Sequence, residues 1–301
     1  MAIIQRTKPS SPALPMLVKR MRTAKLYAAK RNRNLRLIDD GNRYFEFSKS
    51  DFSFLLDTPD DELAKRIAVE PEFSVDAASV VVSCRGTNYR LPKGDAAFDQ
   101  PFVWGSPRAM REVESERHLA NIHGTFYELP LIENGEPPLW NLVRPVSSHS
   151  KQIADFCSWN GLLVLSGVRA DATPDGHVFA DDEHDIGVWF GGVDDLWKLG
   201  KPVGRGGPWL NTDVKAQVPS DPYLMRGYDR KSVSLSHQSN VPVSIQLQID
   251  IDGHGHWVDY QTITVPARQT VAYQFPESFS AAWIRTVSSI DTTATALFVY
   301  N

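Results

Sequence analysis

"ASVVVSCRGTNYRL" (residues 78–91) and "HLANIHGTFYEL" (residues 118–129) share a layout whose reading decides the fold. Each is an apolar run, a glycine, then a second run in which tyrosine stands three places after the glycine, as in "GTNYRLP" and "GTFYELP". Branched and aromatic side chains fit a pleated surface better than a helix, so the runs read as strands and the glycine as the turn joining them. "LRLIDDGNRYFEF" (35–47) and "IADFCSWNGLLVLSG" (153–167) repeat the layout, which puts the turns at Gly41, Gly86, Gly124 and Gly161, spaced by 45, 38 and 37 residues. A β unit of about 40 residues that recurs predicts the four-stranded blade of a propeller. An irregular β-sandwich with coincidental spacing is the alternative.

From Pro222 the texture changes. "VPVSIQLQIDI" (241–251) alternates strictly, with Val243, Ile245, Leu247, Ile249 and Ile251 on one face and Ser244, Gln246, Gln248 and Asp250 on the other. Period two with one apolar face predicts a half-buried antiparallel strand. "WVDYQTITV", "QTVAYQF", "AAWIRTVSSI" and "TATALFVY" follow between turn signals, as in a compact β-sandwich. The expected class is therefore all-β: propeller-like blades, then a C-terminal antiparallel β-sandwich. The organisation reads as a basic arm (1–34), blades (35–206), a Pro-rich linker (207–221) and the sandwich (222–301). About four blades fit, the low end for a closed ring, so a partial propeller is expected, completed by self-association or by further blades of a longer parent. Helical periodicity is confined to "PDDELAKRIAVE" (59–70) and, more weakly, "ALPMLVKRMRTAKLYAAKR" (13–31).

The 301 residues carry a net charge of −4, but residues 1–38 hold ten Lys or Arg and no acid, which leaves the body at −14. A basic arm on an acidic body suits an anionic polymer or simple solvation. Without a binding module, the acidic body argues against nucleic acid. No apolar run reaches the length of a membrane span. The N-terminus lacks a secretory signal, so the chain reads as cytoplasmic as written, or as exported if it is a mature or truncated piece. Two cysteines, Cys84 and Cys157, are too few for a disulfide framework or thiolate metal site. No cofactor motif is present: "GRGG" opens no helix, and "DIDGHGHW" (250–257) lacks the later ligands of a calcium loop and reads as a hairpin turn. "ADDEHD" (180–185) reads as a solvated loop.

Chemistry concentrates in "FGGVDDLWKLGKPVGRGGPW" (190–209). Trp197 and Trp209 sit in Gly-rich polar sequence, where an indole offers a stacking wall for the C–H face of a sugar. Asp194 and Asp195 supply carboxylates. On an extended strand they point to opposite faces, so a glycosidic acid–base pair needs a partner from elsewhere, for which Glu128, Asp155 and Asp185 are the candidates. His123 in the repeated turn is a candidate general acid or base. Lys198 and Arg205 suit an anionic group, and His149 and Asp155 complete the substrate-binding set. The architectural alternative is a closing turn in which Asp195 pairs with Lys198.

"CRGTNYRLPKG", "RAMREVESERHLANIHGTFYELP", "DFCSWNGLLVLSGV", "VWFGGVDDLWKLGKPVGRGGPW" and "SDPYLMRGYDRK" together resemble a family of large bacterial β-propeller proteins with a C-terminal β-sandwich. The resemblance covers roughly residues 75–301 and is most specific at 108–130 and 188–231. It implies an association with polysaccharide degradation, without assigning a reaction or a catalytic residue. This chain is shorter than such proteins. The expectation is a carbohydrate-active protein, a glycoside hydrolase or lyase acting on an acidic polysaccharide. A non-catalytic glycan-binding protein and an interaction scaffold are the alternatives.

Overall fold

A computed structural model of the chain describes residues 24–28, 34–100, 105–113, 117–130, 139–149, 152–167, 176–181 and 183–301. These residues are nearly all-β, with one short α-helix among them and several small sheets. Among the described residues no helix is long and apolar enough to cross a membrane. Most of the basic arm, Trp104 and Asp182 lie outside the described residues.

The turn signals work as the sequence suggests. Cys84 pairs with Thr87, Ile122 with Thr125 and Trp159 with Leu162, leaving two-residue loops Arg85-Gly86, His123-Gly124 and Asn160-Gly161. Both residues of each loop have positive φ, from 49° to 81°, which is the type I′ turn that matches strand twist. Gly41 differs. Its loop is longer, and Asn42 takes the positive φ of 58°. The buried Asp39 carboxylate accepts the Gly41 and Arg43 amides there, at 3.0 and 2.8 Å.

The chain divides into two compact units. One comprises Met1–Glu70, Gln100–Arg108 and Ser150–Val193. It holds two four-stranded antiparallel sheets. The first runs in chain order through Ala24–Ala28, Leu35–Asp39, Tyr44–Phe47 and Phe54–Asp57. The second is ordered Phe156–Trp159, Leu162–Ser166, Ile186–Gly191, Val178–Asp181. Ala24–Ala28 falls within the weaker helix expectation and is a strand, because its backbone finds a ladder on Leu35–Asp39. The two sheets share one core, centred on Phe47, whose ring lies 4.9 Å from Phe54, 5.1 Å from Phe190 and 5.7 Å from Trp159. The expected helix forms as Asp61–Ile67, capped by Asp60, which accepts the Leu63 amide at 3.0 Å.

The other unit comprises Pro71–Asp99, Ala109–His149 and Asp194–Asn301. It contains a third four-stranded sheet, a meander of Met110–Val113, Arg117–Ile122, Thr125–Leu129 and Arg144–Ser148. It also contains two larger elements that bury side chains in one core. A four-stranded sheet is ordered Gly204–Val214, Thr292–Tyr300, Lys231–His237, Thr270–Gln274. A seven-stranded sheet is built around Val243–Asp250 and Trp283–Ser288. Leu235, Ala296 and Phe298 from the first meet Ile245, Leu247 and Ile284 from the second in that core. The alternation at 243–249 is inward-apolar, as its period predicts. Ile251 departs from it: the strand ends at Asp250, whose buried carboxylate accepts the Gly253 and Gly255 amides and turns the chain, leaving Ile251 exposed.

The hairpin 80–91 does not build a blade. Its strands Val80–Cys84 and Thr87–Leu91 extend the seven-stranded sheet, where Tyr223 pairs in parallel with Arg90. The segment 204–214, expected as part of blade and linker, is a strand of the four-stranded sheet.

Candidate functional site

The meander between Met110 and Ser148 brings three charged side chains together. Glu128 and Arg144 are directly opposite in the ladder, and Leu119 is the partner of Glu128 on the other side, which makes Arg117 a diagonal neighbour. Glu128 accepts from Arg144 Nη2 at 2.6 Å and Nε at 3.1 Å. Arg117 Nε lies 4.0 Å from Glu128, and its Nη1 donates to Asp194 at 3.0 Å. One guanidinium therefore joins Asp194 to Glu128, and their nearest oxygens fall within the ~9.5 Å upper limit for glycosidic hydrolysis. The two arginines were not legible as partners, since Arg117 and Arg144 reach Glu128 only through the strand register.

Asp194 and Asp195 are not on an extended strand. Gly191 and Gly192 end the preceding strand, and Val193–Lys198 forms a 3-10 helix anchored by the fully buried Leu196. Three residues per turn eclipses positions 195 and 198, and Lys198 Nζ donates to Asp195 at 2.6 Å. That is the architectural pairing. Asp194 instead extends outward, with 82% of its side chain exposed, to meet Arg117. Trp197 on the same turn is 54% exposed. Held on a short turn beside ion pairs, it is the one exposed aromatic ring of residues 190–209.

The remaining candidates are distributed differently. Trp209 is a correction: it is 5% exposed and packs in the core, because a bulge in its strand turns it inward. Arg205 is exposed, and its backbone exchanges hydrogen bonds with Lys93 at 3.1 and 2.7 Å. His149 is buried between the Phe98 and Phe126 rings, with Nε2 2.8 Å from Asn121 Oδ1. Asp155 belongs to the other unit, where it is fully buried and accepts from Arg108 Nε at 2.9 Å.

His123 occupies the first position of its type I′ turn and is buried. Its amide donates to Asp99 Oδ1 at 2.9 Å, and its Nε2 lies 3.3 Å from Oδ2. Burial raises the Asp99 carboxyl to about 6, opposed by the His123 amide, and burial lowers the His123 imidazole. Both shifts favour the uncharged forms, so the pair reads as a desolvated hairpin brace. Because the folded pKa of Asp99 is raised, the native state holds an extra proton between roughly pH 4 and pH 6. Its contribution to stability is present below that window and is lost as pH rises through it. A shift from 3.8 to about 6 corresponds to at most ~3 kcal/mol. Asp99→Asn should therefore gain on the wild type, in unfolding free energy, as pH rises through this window. A difference that stays constant with pH would overturn the assignment.

No protein family matches the chain, and no curated protein matches it in sequence. Among solved structures, PirA is 16% identical over 33% of this chain and 84% of its own, at a TM-score of 0.20. An exo-β-1,3-galactanase from Phanerochaete chrysosporium, solved with galactose, is 6% identical over 93% of this chain and 68% of its own, at 0.20. A glycoside hydrolase family 43 arabinoxylan arabinofuranohydrolase from Bacillus subtilis, solved with cellotetraose, is 9% identical over 92% and 65%, at 0.19. Similarity at this level assigns neither fold nor activity to the chain.

Proposed function

We propose that this chain is a carbohydrate-active protein that binds a polysaccharide through the surface around Trp197. The observation that carries the reading is the exposed indole on the Val193–Lys198 turn, beside the Arg117–Asp194 and Lys198–Asp195 pairs. An indole face takes the C–H side of a pyranose, and carboxylate and guanidinium groups take its hydroxyls. Arg117, Arg144 and Lys198 balance Asp194, Asp195 and Glu128 in charge, an arrangement suited to hydroxyl recognition more than to a polyanion. The fold under this reading is a β-sandwich made by the four- and seven-stranded sheets, with the meanders as blade-like additions; their shared core supports it.

Affinity electrophoresis with arabinoxylan, a β-galactan and polygalacturonate tests binding. At least one glycan should retard the protein, and Trp197→Ala should weaken that retardation by about tenfold with an unchanged melting temperature. Retardation by none of the three, or retardation indifferent to Trp197, would remove the proposal. Hydrolysis of the bound glycan is the second reading, favoured by Arg117 joining Asp194 to Glu128. It requires one of the two to be uncharged during turnover. Release of reducing ends by the wild type, lost in Glu128→Gln while binding persists, is its signature.

A further inference from the structure

Lys231 is 4% exposed, yet no carboxylate lies within 4.0 Å of its ammonium among the described residues. Its Nζ donates to the carbonyls of Tyr228 and Phe279, the latter at 2.8 Å. Two of its three protons are thus placed against neutral acceptors, and burial lowers its pKa. Asp229, the carboxylate whose charge opposes that lowering, is itself paired with Lys201, and a buried cation with no carboxylate in contact is costly. The residues that hold it also form the walls of a cleft of about 590 Å³, a volume suited to a small ligand. Arg230 lines the same cleft, is exposed, and makes no hydrogen bond or close ion pair through its side chain among the described residues. Lys201 and Asp229 pair at 2.6 Å on its border. Glu277, Ser278 and Ser280 add acceptors and hydroxyls, and the half-buried Phe279 adds an apolar ring.

We propose that this cleft is a binding site for a sugar acid, its carboxylate received by Lys231 and Arg230. The ligand carboxylate supplies a counter-charge in direct contact and accepts a hydrogen bond from the third ammonium proton. The acidic and hydroxyl groups of the cleft take the ring hydroxyls, and Phe279 covers a C–H face. A plain anion satisfies the cations but none of the hydroxyl partners, which is why a carboxylated polyol fits better than phosphate. The site does not depend on the Trp197 surface.

The test is calorimetric titration of the full chain with glucuronate, glucose and inorganic phosphate. Glucuronate should bind at least about tenfold more tightly than either control. Lys231→Met should abolish that binding; since this change also removes the link between the Tyr228 and Phe279 carbonyls, Arg230→Gln, at an exposed position, provides the second variant and should weaken glucuronate several-fold while leaving the melting temperature unchanged. Trp197→Ala should leave glucuronate affinity intact, which separates this cleft from the polysaccharide surface. Equal affinity for glucose or phosphate, no glucuronate binding, indifference to Arg230→Gln, or loss of glucuronate in Trp197→Ala would each overturn the proposal.

Discussion

Gly207→Ala is expected to unfold the unit that contains residues 194–301. An alanine Cβ at this position would stand 1.8 Å from the Ala296 carbonyl oxygen and 3.0 Å from its carbonyl carbon. No side chain is involved that might rotate away; the obstacle is the backbone of the neighbouring strand. The register explains why the chain comes so close. Gly206 pairs with Phe298 and Trp209 with Ala296, so one extra residue is fitted into Gly204–Val214 between them. The bulge accommodates Pro208, which has no amide for the ladder, and it delivers Trp209 to the core. Relief of the clash requires Gly204–Val214 to move off Thr292–Tyr300, breaking that ladder and exposing Trp209. The loss should exceed about 4 kcal/mol, the range in which single substitutions are diagnostic. Gly86→Ala is the control: nothing lies within 4 Å of its Cβ, and only its φ of 81° is unfavourable, for about 1–2 kcal/mol. Thermal unfolding of both variants checks the argument. Similar melting temperatures for the two would show that the strand moves freely and that the glycine run serves something other than this close approach.

Leu247→Asp should have an effect of comparable size. Leu247 is fully buried between its ladder partners Gln261 and Thr286, on the face that meets Leu235, Ala296 and Phe298. Truncating such a leucine alone costs about 2–5 kcal/mol. A carboxylate there adds the cost of desolvation among apolar neighbours. The sum approaches the whole stability of a typical domain, about 5–15 kcal/mol. Near-UV circular dichroism should lose its tertiary signal. Gln246→Asp, one residue along and half-buried on the opposite face, should leave that signal in place. If both variants remain folded, the register is not the one that the alternation implies.

These expectations rest on two kinds of information. Features decided within a few residues were legible in the sequence. The period of two at 243–249 placed its apolar side chains inward, and the Gly-centred turns produced three type I′ hairpins, because local dihedrals alone set those outcomes. The capped helix at 61–67 belongs with them. The pairing of Lys198 with Asp195 was legible as an alternative, since i and i+3 need only a tight turn to meet.

What remained hidden is set by which strand finds which. "GTNYRLP" and "GTFYELP" are nearly the same local instruction, yet the first hairpin extends a seven-stranded sheet and the second sits inside a meander. A hairpin fixes only the pairing of its own two strands; its outer edges present backbone donors and acceptors that any strand can satisfy. Tyr127 and Tyr89, equivalent in the motif, both reach the same core, the first fully buried and the second against Trp283 at 4.9 Å. The guanidinium joining Asp194 to Glu128 and the ammonium enclosed by Tyr228 and Phe279 have the same origin. Local sequence pattern determined that most of this chain would be built of strands and where three of its hairpins would turn. Only the tertiary structure decided which charges would meet, because partners distant in sequence are chosen by sheet register and core packing, which no local pattern encodes.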